Sequence, residues 1–426
     1  MVISRDRYLQ QLLDRRENGL IKVVCGLRRC GKSFLLFRLF RERLLGEGIP
    51  EERIVTLALD SEENRVYRSP EALWDYLRRR ITDSKEVFYV LLDEIQYAIS
   101  REELRHPSED VRLYGVLNGL LQLGNVDIYV TGSNSKMLSK DVMTAFRGRG
   151  DVVEVNPLSF AEYHSAVGGE RAEAFEEYCR YGGMPLVLSQ RDDQAKQRYL
   201  SRLFEEVYFR DILERYDFSL PHVLSELTDS LCSSIGSLTN VSKIVNTLAS
   251  VQKLKVTHAT IASYLEALKD SFLFRGAQRY DVKGRKYFES PLKFYCTDVG
   301  LRNARLNFRQ QEETHLLENI VFNELHSRGF AVDVGVMHLE DAERKMVRTE
   351  IDFVANAGSR RYYVQAALRM DDEEKRKQEL RPLLAVNDHF RKVVITKTLQ
   401  SPWYDEKGIL HLGVYDFLLD PQAMDY

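Results

Sequence analysis

Residues 23–36 read VVCGLRRCGKSFLL, and this stretch decides how the first part of the chain folds. Just before it closes on Gly26, LIKVVC (20–25) forms a short β-rich apolar run. Beyond Ser33, FLLFRLFRERLL (34–45) repeats apolar residues at helical spacing, with Leu35, Leu36, Leu39 and Phe40 on one side. A glycine loop between a predicted strand and a predicted helix is the setting of a phosphate cradle. Gly26 and Gly31 let successive backbone N–H groups turn inward, and the helix N-terminus adds partial positive charge. Leu27, Arg28, Arg29 and Cys30 make up the turn, and Phe34 follows it. Lys32 is spaced to reach β- and γ-phosphates, and the Ser33 hydroxyl to ligate Mg2+. The segment 26–34 therefore predicts ATP and Mg2+ as ligands. Cys30 reads as a small residue tolerated in the loop; the sharper alternative is a reactive thiolate beside the phosphates.

A second strand signal completes the pattern. VFYVLLDEIQ (87–96) is a continuous apolar run, as expected of a strand covered on both faces, and it ends in Asp93-Glu94. Asp93 is expected to hold Mg2+ through water, and Glu94 to polarise a water against the γ-phosphate, which makes hydrolysis the expected reaction. VDIYVTGSN (126–134) is a third strand, whose Ser133 or Asn134 could orient that water. TAFRGRGDVVEVNPLSFAEY (144–163) offers Arg147 and Arg149 as candidates to neutralise transition-state charge, in their own subunit or a neighbour.

In order along the chain, GLRRCGKS, LLDEIQ, TGSNSKML, GRGDVVEVNPLSFAEY and RYGGMP resemble a family of bacterial and archaeal AAA-superfamily ATPases with an uncharacterised C-terminal domain. The resemblance covers nearly the whole chain. It implies that Lys32 and Ser33 are the Walker A residues, Asp93 and Glu94 the Walker B residues, and Asn134 or Ser133 the sensor. It also implies that Gly182-Gly183-Met184-Pro185 marks a small helical lid, where the glycines end one helix and hinge the next.

At 426 residues the chain exceeds one ordinary core, so several domains are expected. A composition 44% hydrophobic and 29% charged is that of a globular protein. No apolar run approaches the ~20 residues of a spanning helix, and MVISRDRYLQQLLDRR offers no signal-peptide core. The five cysteines show neither metal-ligand spacing nor a disulfide framework. Together these features place the protein in a reduced cytoplasm, away from membranes. The net charge of −3 argues against wholesale coating by nucleic acid, while leaving room for a local basic patch.

Such a patch occurs in the middle of the chain. After a charged helical connector (190–220), NVSKIVNTLASV and HATIASYLEALKDS predict two amphipathic helices. FLFRGAQRYDVKGRKYFES then predicts a hairpin around a Lys283-Gly284 turn. That is the winged-helix order, whose second helix commonly enters a major groove. Residues 253–293 carry nine Lys and Arg against four Asp and Glu, a local +5. Lys269, Arg279, Lys283, Arg285 and Lys286 are the candidate contacts to double-stranded DNA.

From residue 314 the predicted order helix, three strands, helix, strand resembles the restriction-endonuclease-like fold. The resemblance puts Glu318 and Asp352 at metal positions, with Gln365 at the third position and Ala367 where a lysine is usual. An amide is a poor ligand for a hard cation, and alanine supplies no amine. DNA cleavage therefore ranks below a docking or structural role, unless Lys375 or Lys377 takes over the lysine's place. The fold class expected is α/β, a parallel P-loop sheet with appended helical and α/β domains. Its expected divisions are an ATPase core (1–165), a helical lid and connector (166–220), a winged helix (221–300) and a restriction-endonuclease-like domain (301–426). The function expected is an ATPase coupled to DNA. An ATP-dependent switch acting on a protein partner is the alternative, and oligomeric state is left open.

Overall fold

The computed structural model describes residues 2–82, 85–100, 103, 111–132, 149–216, 218, 220–251, 255–310, 312–340 and 345–426. The chain forms two compact units, Met1–Asn156 with Asp270–Phe272, and Pro157–Lys269 with Leu273–Tyr426.

The first unit is built on β1 (Ile21–Cys25), β2 (Ile54–Ala58), β3 (Phe88–Asp93), β4 (Val126–Thr131) and β5 (Gly150–Glu154). They lie in the order β2-β3-β4-β1-β5, and every pairing is parallel. Strands β1, β3 and β4 are buried at every position, which is why they read as unbroken apolar runs. Val90, Leu92, Ile128 and Val130 pack against Leu73 and Leu77 of helix Pro70–Arg80 and Leu113 and Leu117 of helix Arg112–Leu121. Because β4 lies between β1 and β3, the loop after β1, the end of β4 and the end of β3 share the carboxyl edge of the sheet, where α/β proteins bind ligands. The expected α/β class and parallel sheet are the observed ones. On the opposite edge, buried Lys22 of β1 pairs with buried Asp127 of β4. Asp127 also accepts from the Tyr129 hydroxyl at 2.9 Å and the Glu17 amide at 3.0 Å.

The second unit carries a nine-stranded sheet. Its strands are β6 (Leu238–Thr239), β7 (Phe274–Asp281), β8 (Lys286–Cys296), β9 (Ala331–Glu340), β10 (Met346–Ala357), β11 (Arg360–Ala367), β12 (Arg391–Thr396), β13 (Trp403–Tyr404) and β14 (Leu410–Gly413). The order is β13-β14-β12-β11-β10-β9-β7-β8-β6. Helices Pro221–Ser233, Val241–Val251 and His258–Asp270 precede the β7–β8 hairpin, and β6 runs antiparallel to β8. Helix Glu313–Ser327, strands β9, β10 and β11, helix Glu373–Leu384 and β12 follow in the predicted order. The hairpin is not a free projection: β7 pairs in parallel with β9 through Arg279↔Val334, Tyr280↔Gly335 and Asp281↔Val336.

No described helix is long and apolar enough to cross a membrane. All five cysteines are free thiols; Cys25, Cys30, Cys232 and Cys296 are buried and Cys179 is half-buried.

Candidate functional site

The strand-to-helix turn after β1 has backbone geometry that few residues tolerate. Gly26 sits at φ 131° and Gly31 at φ 104°, in the region that favours glycine. At Gly26 a Cβ would overlap the carbonyl oxygen of Val155, so the position also needs the absence of a side chain. Arg29 adopts φ 62° at the exposed crest of the turn. Leu27 and Cys30 are buried beneath it, Arg28 is half-buried and Phe34 is exposed.

Gly31 begins a helix that runs through Lys32–Phe34, a π-helical stretch Leu35–Phe40 and Arg41–Gly46. Lys32 is 3% exposed and folds back over the loop, its Nζ donating to Gly26 O at 3.1 Å and Leu27 O at 3.0 Å. An ammonium held by loop carbonyls can exchange them for phosphate oxygens. The Cys30 thiol donates to Val155 O at 3.2 Å and is fully buried. The reactive-thiolate alternative is thereby corrected: the sulfur packs inward on β5's continuation and is closed to reagents.

Arg5, which the sequence reading did not select, braces this loop from below. It is 3% exposed, and its guanidinium donates to Cys30 O at 3.0 Å and Asn156 O at 2.6 Å. The side chain stacks over the Tyr8 ring at 4.7 Å. A buried arginine 25 residues before Cys30 leaves no periodic signal, so only its early position in a charged segment could have flagged it.

Asp93 ends β3, 4% exposed, and accepts hydrogen bonds from the hydroxyls of Thr131 and Ser33. Burial pushes its carboxyl above the usual aspartate range, and those two hydroxyls oppose the push. Glu94 follows at φ 53°, a left-handed conformation rare for a glutamate, and its N–H donates to Thr131 Oγ1 at 3.0 Å. Thr131, fully buried at the end of β4, therefore bridges both acidic residues. It lies two residues before the expected sensor, and its strand-end position in TGSN was its only signal. Gln96 donates to the Glu94 carboxylate. Ser33 and Asp93 bring hard oxygen donors into contact next to Lys32's loop, a set that suits Mg2+ shared with phosphates.

Ser133, Asn134 and Arg147 lie outside the described residues. Arg149 is exposed at the start of β5, where Ile21 N donates to its carbonyl at 2.7 Å. That is the end of β1 opposite the glycine loop, roughly 16 Å away at about 3.3 Å per strand residue. This placement counts against the in-subunit role considered for Arg149 and leaves the role in a neighbouring subunit untouched.

In the second unit the candidate DNA contacts separate into two groups. Lys283, Arg285 and Lys286 lie exposed at the β7–β8 turn, which Asp281 organises by accepting from Lys283 N at 3.1 Å and Gly284 N at 2.8 Å. Lys269 pairs with Glu266 at 2.6 Å on its own helix. Arg279 is buried, donating to Pro291 O at 3.0 Å and lying over the Phe288 ring at 4.8 Å, an engagement that counts against it as a contact. The Gly182-Gly183 pair packs against the helix beginning at Val299: a Cβ at Gly182 would overlap the Asp298 carboxylate, and one at Gly183 the Leu158 carbonyl.

Glu318 and Asp352 do come together, but the lysine among them is neither Lys375 nor Lys377, both of which are exposed. It is Lys293 of β8, whose Nζ lies 2.9 Å from Glu318 and 3.9 Å from Asp352. Gln365 accepts from Asp352 N at 3.3 Å and donates to Glu379 at 2.8 Å, and Ala367 is buried. Burial, then the Glu318 charge, push the Asp352 carboxyl up to about 7 against the pull of Lys293.

Family models match the chain in two places, an AAA domain over residues 18–164 and a domain of unknown function (DUF8612) over residues 172–312. An uncharacterized protein of Haemophilus influenzae is 33% identical over 426 residues, covering 98% of this chain and 99% of the relative. An uncharacterized protein of Methanocaldococcus jannaschii is 25% identical over 393 residues, covering 88% and 80%. Among solved structures, the Aeropyrum pernix Orc1 protein in complex with DNA aligns at 12% identity and a TM-score of 0.30, covering 72% of this chain and 93% of that one.

Proposed function

This chain belongs to the AAA-domain family of P-loop ATPases, together with its Haemophilus influenzae relative, and from that premise we propose that it binds and hydrolyses ATP and couples its nucleotide state to DNA. The observation that carries the hydrolytic reading is the convergence of Lys32, Ser33, Asp93, Thr131 and Glu94 at one edge of the first sheet. In this reading Lys32 leaves the Gly26 and Leu27 carbonyls for the β- and γ-phosphates. Ser33 and Asp93 would hold Mg2+, which would supply positive charge to the phosphates. Glu94 orients a water toward the γ-phosphorus and takes its proton, while Thr131 fixes the backbone that aims Glu94. The DNA reading is supported by the exposed Lys283, Arg285 and Lys286 at the hairpin turn.

The test is steady-state ATP turnover by the full chain at fixed moderate salt, with and without double-stranded DNA, for wild type and Glu94→Gln. Turnover expected in wild type falls at least about 100-fold in the variant. Stimulation by DNA that is lost on reversing charge at Lys283, Arg285 and Lys286 supports the coupling. Turnover indifferent to DNA refutes it and favours a switch directed at a protein partner.

A further inference from the structure

Four side chains from three elements of the second unit meet around one ammonium. Lys293 Nζ, from β8, donates to Glu318 Oε1 at 2.9 Å and lies 3.8 Å from Glu350 Oε2 and 3.9 Å from Asp352 Oδ1. Lys293 is 5% exposed and Glu318 8%. Tyr295, two residues further along β8, donates its hydroxyl to the same Glu318 oxygen at 2.7 Å. Ala366 N donates to Asp352 Oδ2 at 2.9 Å. The backbone closes over the cluster at Gly236, where a Cβ would stand 3.0 Å from Glu318 Oε2. Gly236 is itself fixed by donating to Phe294 O at 3.0 Å.

The restriction-endonuclease-like order of this segment implies a divalent cation drawn between Glu318 and Asp352. The residues present do not fit one. The space where such an ion would draw on both carboxylates is taken by the ammonium, and the third position is an amide already engaged by Glu379. Among the described residues no group of three or more His, Cys, Asp or Glu is arranged to hold a metal ion. Nor does the lysine look poised for water activation, because the tyrosine hydroxyl and the Gly236 backbone leave its partner carboxylate enclosed.

We propose that Lys293 is the resident cation of this cluster, standing in place of a divalent metal and joining the β8 hairpin strand to helix Glu313–Ser327 and β10. Glu318 takes its counter-charge from Lys293 and Glu350 from Arg348, while Asp352 accepts from the Ala366 amide with the ammonium 3.9 Å away, so the unit needs no metal for its fold and cleaves no phosphodiester by a metal route. The ammonium is shared between Glu318 of the helix and Asp352 of β10, and carboxylates stripped of it are left buried with uncompensated charge. Shortening Lys293 accordingly opens a divalent-cation site that the wild-type protein lacks.

The experiment uses the full chain without nucleotide and follows Mn2+ binding by electron paramagnetic resonance, alongside thermal unfolding in EDTA and in ~1 mM Mn2+. Wild type and Asp352→Asn are expected to bind Mn2+ equally, any shared background belonging to the first unit. Lys293→Ala is expected to melt roughly 10 °C lower in EDTA. It should gain one Mn2+ and recover about half of that loss, and both gains should vanish in Lys293→Ala/Asp352→Asn. Should Lys293→Ala fail to fold, the comparison of wild type with Asp352→Asn still decides. A Mn2+ site in wild type that disappears in Asp352→Asn overturns the proposal, as does Mn2+-dependent nicking of plasmid lost with the same substitution. Lys293→Ala that folds and ignores Mn2+ also overturns it.

Discussion

Arg5 is the kind of residue that mutagenesis of a glycine loop passes over. Its guanidinium donates to two carbonyls, the buried one of Cys30 inside the loop and that of Asn156, so Arg5→Ala removes both hydrogen bonds. The expected result is a loss of about 2–4 kcal/mol in chemical denaturation together with a raised KM for ATP. Thr131→Val tests a different quantity. It keeps volume but removes the hydroxyl shared by Asp93 and Glu94 N–H, so kcat should fall roughly 10- to 100-fold with KM little changed. Gly26→Ala forces a methyl into the Val155 carbonyl at a positive φ; the first unit should unfold at lower denaturant by several kcal/mol, about 3 or more.

Helix Val299–Arg305 concentrates the second unit's backbone constraints at its first turn. Asp298 caps it, accepting from Leu301 N at 2.9 Å and from Gly183 N at 2.7 Å, while Gly182 and Gly300 allow the two backbones to touch. Burial raises the Asp298 carboxyl to about 6, opposed by those amide donors. The native state therefore holds a proton more tightly than the unfolded chain, whose aspartate ionises near 3.8. This contribution to stability is fully present below that lower value and is lost as pH rises through about 6, up to roughly 3 kcal/mol in all. Denaturant titrations should find the gap between wild type and Asp298→Ala widening as pH falls from 6 towards 4. In the RYGGMP stretch, expected to end one helix and hinge the next, Gly182 does end helix Arg171–Tyr181 at φ 69°, and both glycines also allow close backbone packing at this capped turn.

What could be read in advance follows from the range of each signal. The turn after β1, buried β3 and β4, and the hairpin turn at Asp281–Lys286 are local, written in runs of residues whose burial and turn chemistry are visible side by side. Lys293 meeting Asp352 and Arg5 meeting Cys30 are matters of pairing across 59 and 25 positions, and where Arg149 falls is one of strand direction. A lysine in a β-run carries no mark of which carboxylate it will meet, so the migrating cation was sought on the next helix instead of on β8.

At the scale of the molecule, the second sheet makes its strands mutually dependent. Tyr280 on β7 packs with Ile351, Val354, Tyr363 and Val394, which belong to β10, β11 and β12. A cut after residue 300 would strip β9 of its β7 partner and remove one wall of that core. Residues 301–426 expressed alone are expected to lack cooperative unfolding by circular dichroism. In the full chain, Tyr280→Ala should destabilise the second unit by about 3–5 kcal/mol, read by the same denaturation curve that monitors β12.

The five thiols acquire a use from their burial. Cys25 and Cys30 lie in the first unit and Cys179, Cys232 and Cys296 in the second. Burial raises the last three, Cys296 to about 12, so thiolate is scarce among them even before access is considered. An alkylating reagent thus meets the four buried thiols, Cys25 and Cys30 in one unit and Cys232 and Cys296 in the other, chiefly during openings of the backbone around them. Each unit carries its own stopwatch, and peptide masses after timed labelling would tell which of the two lets go first.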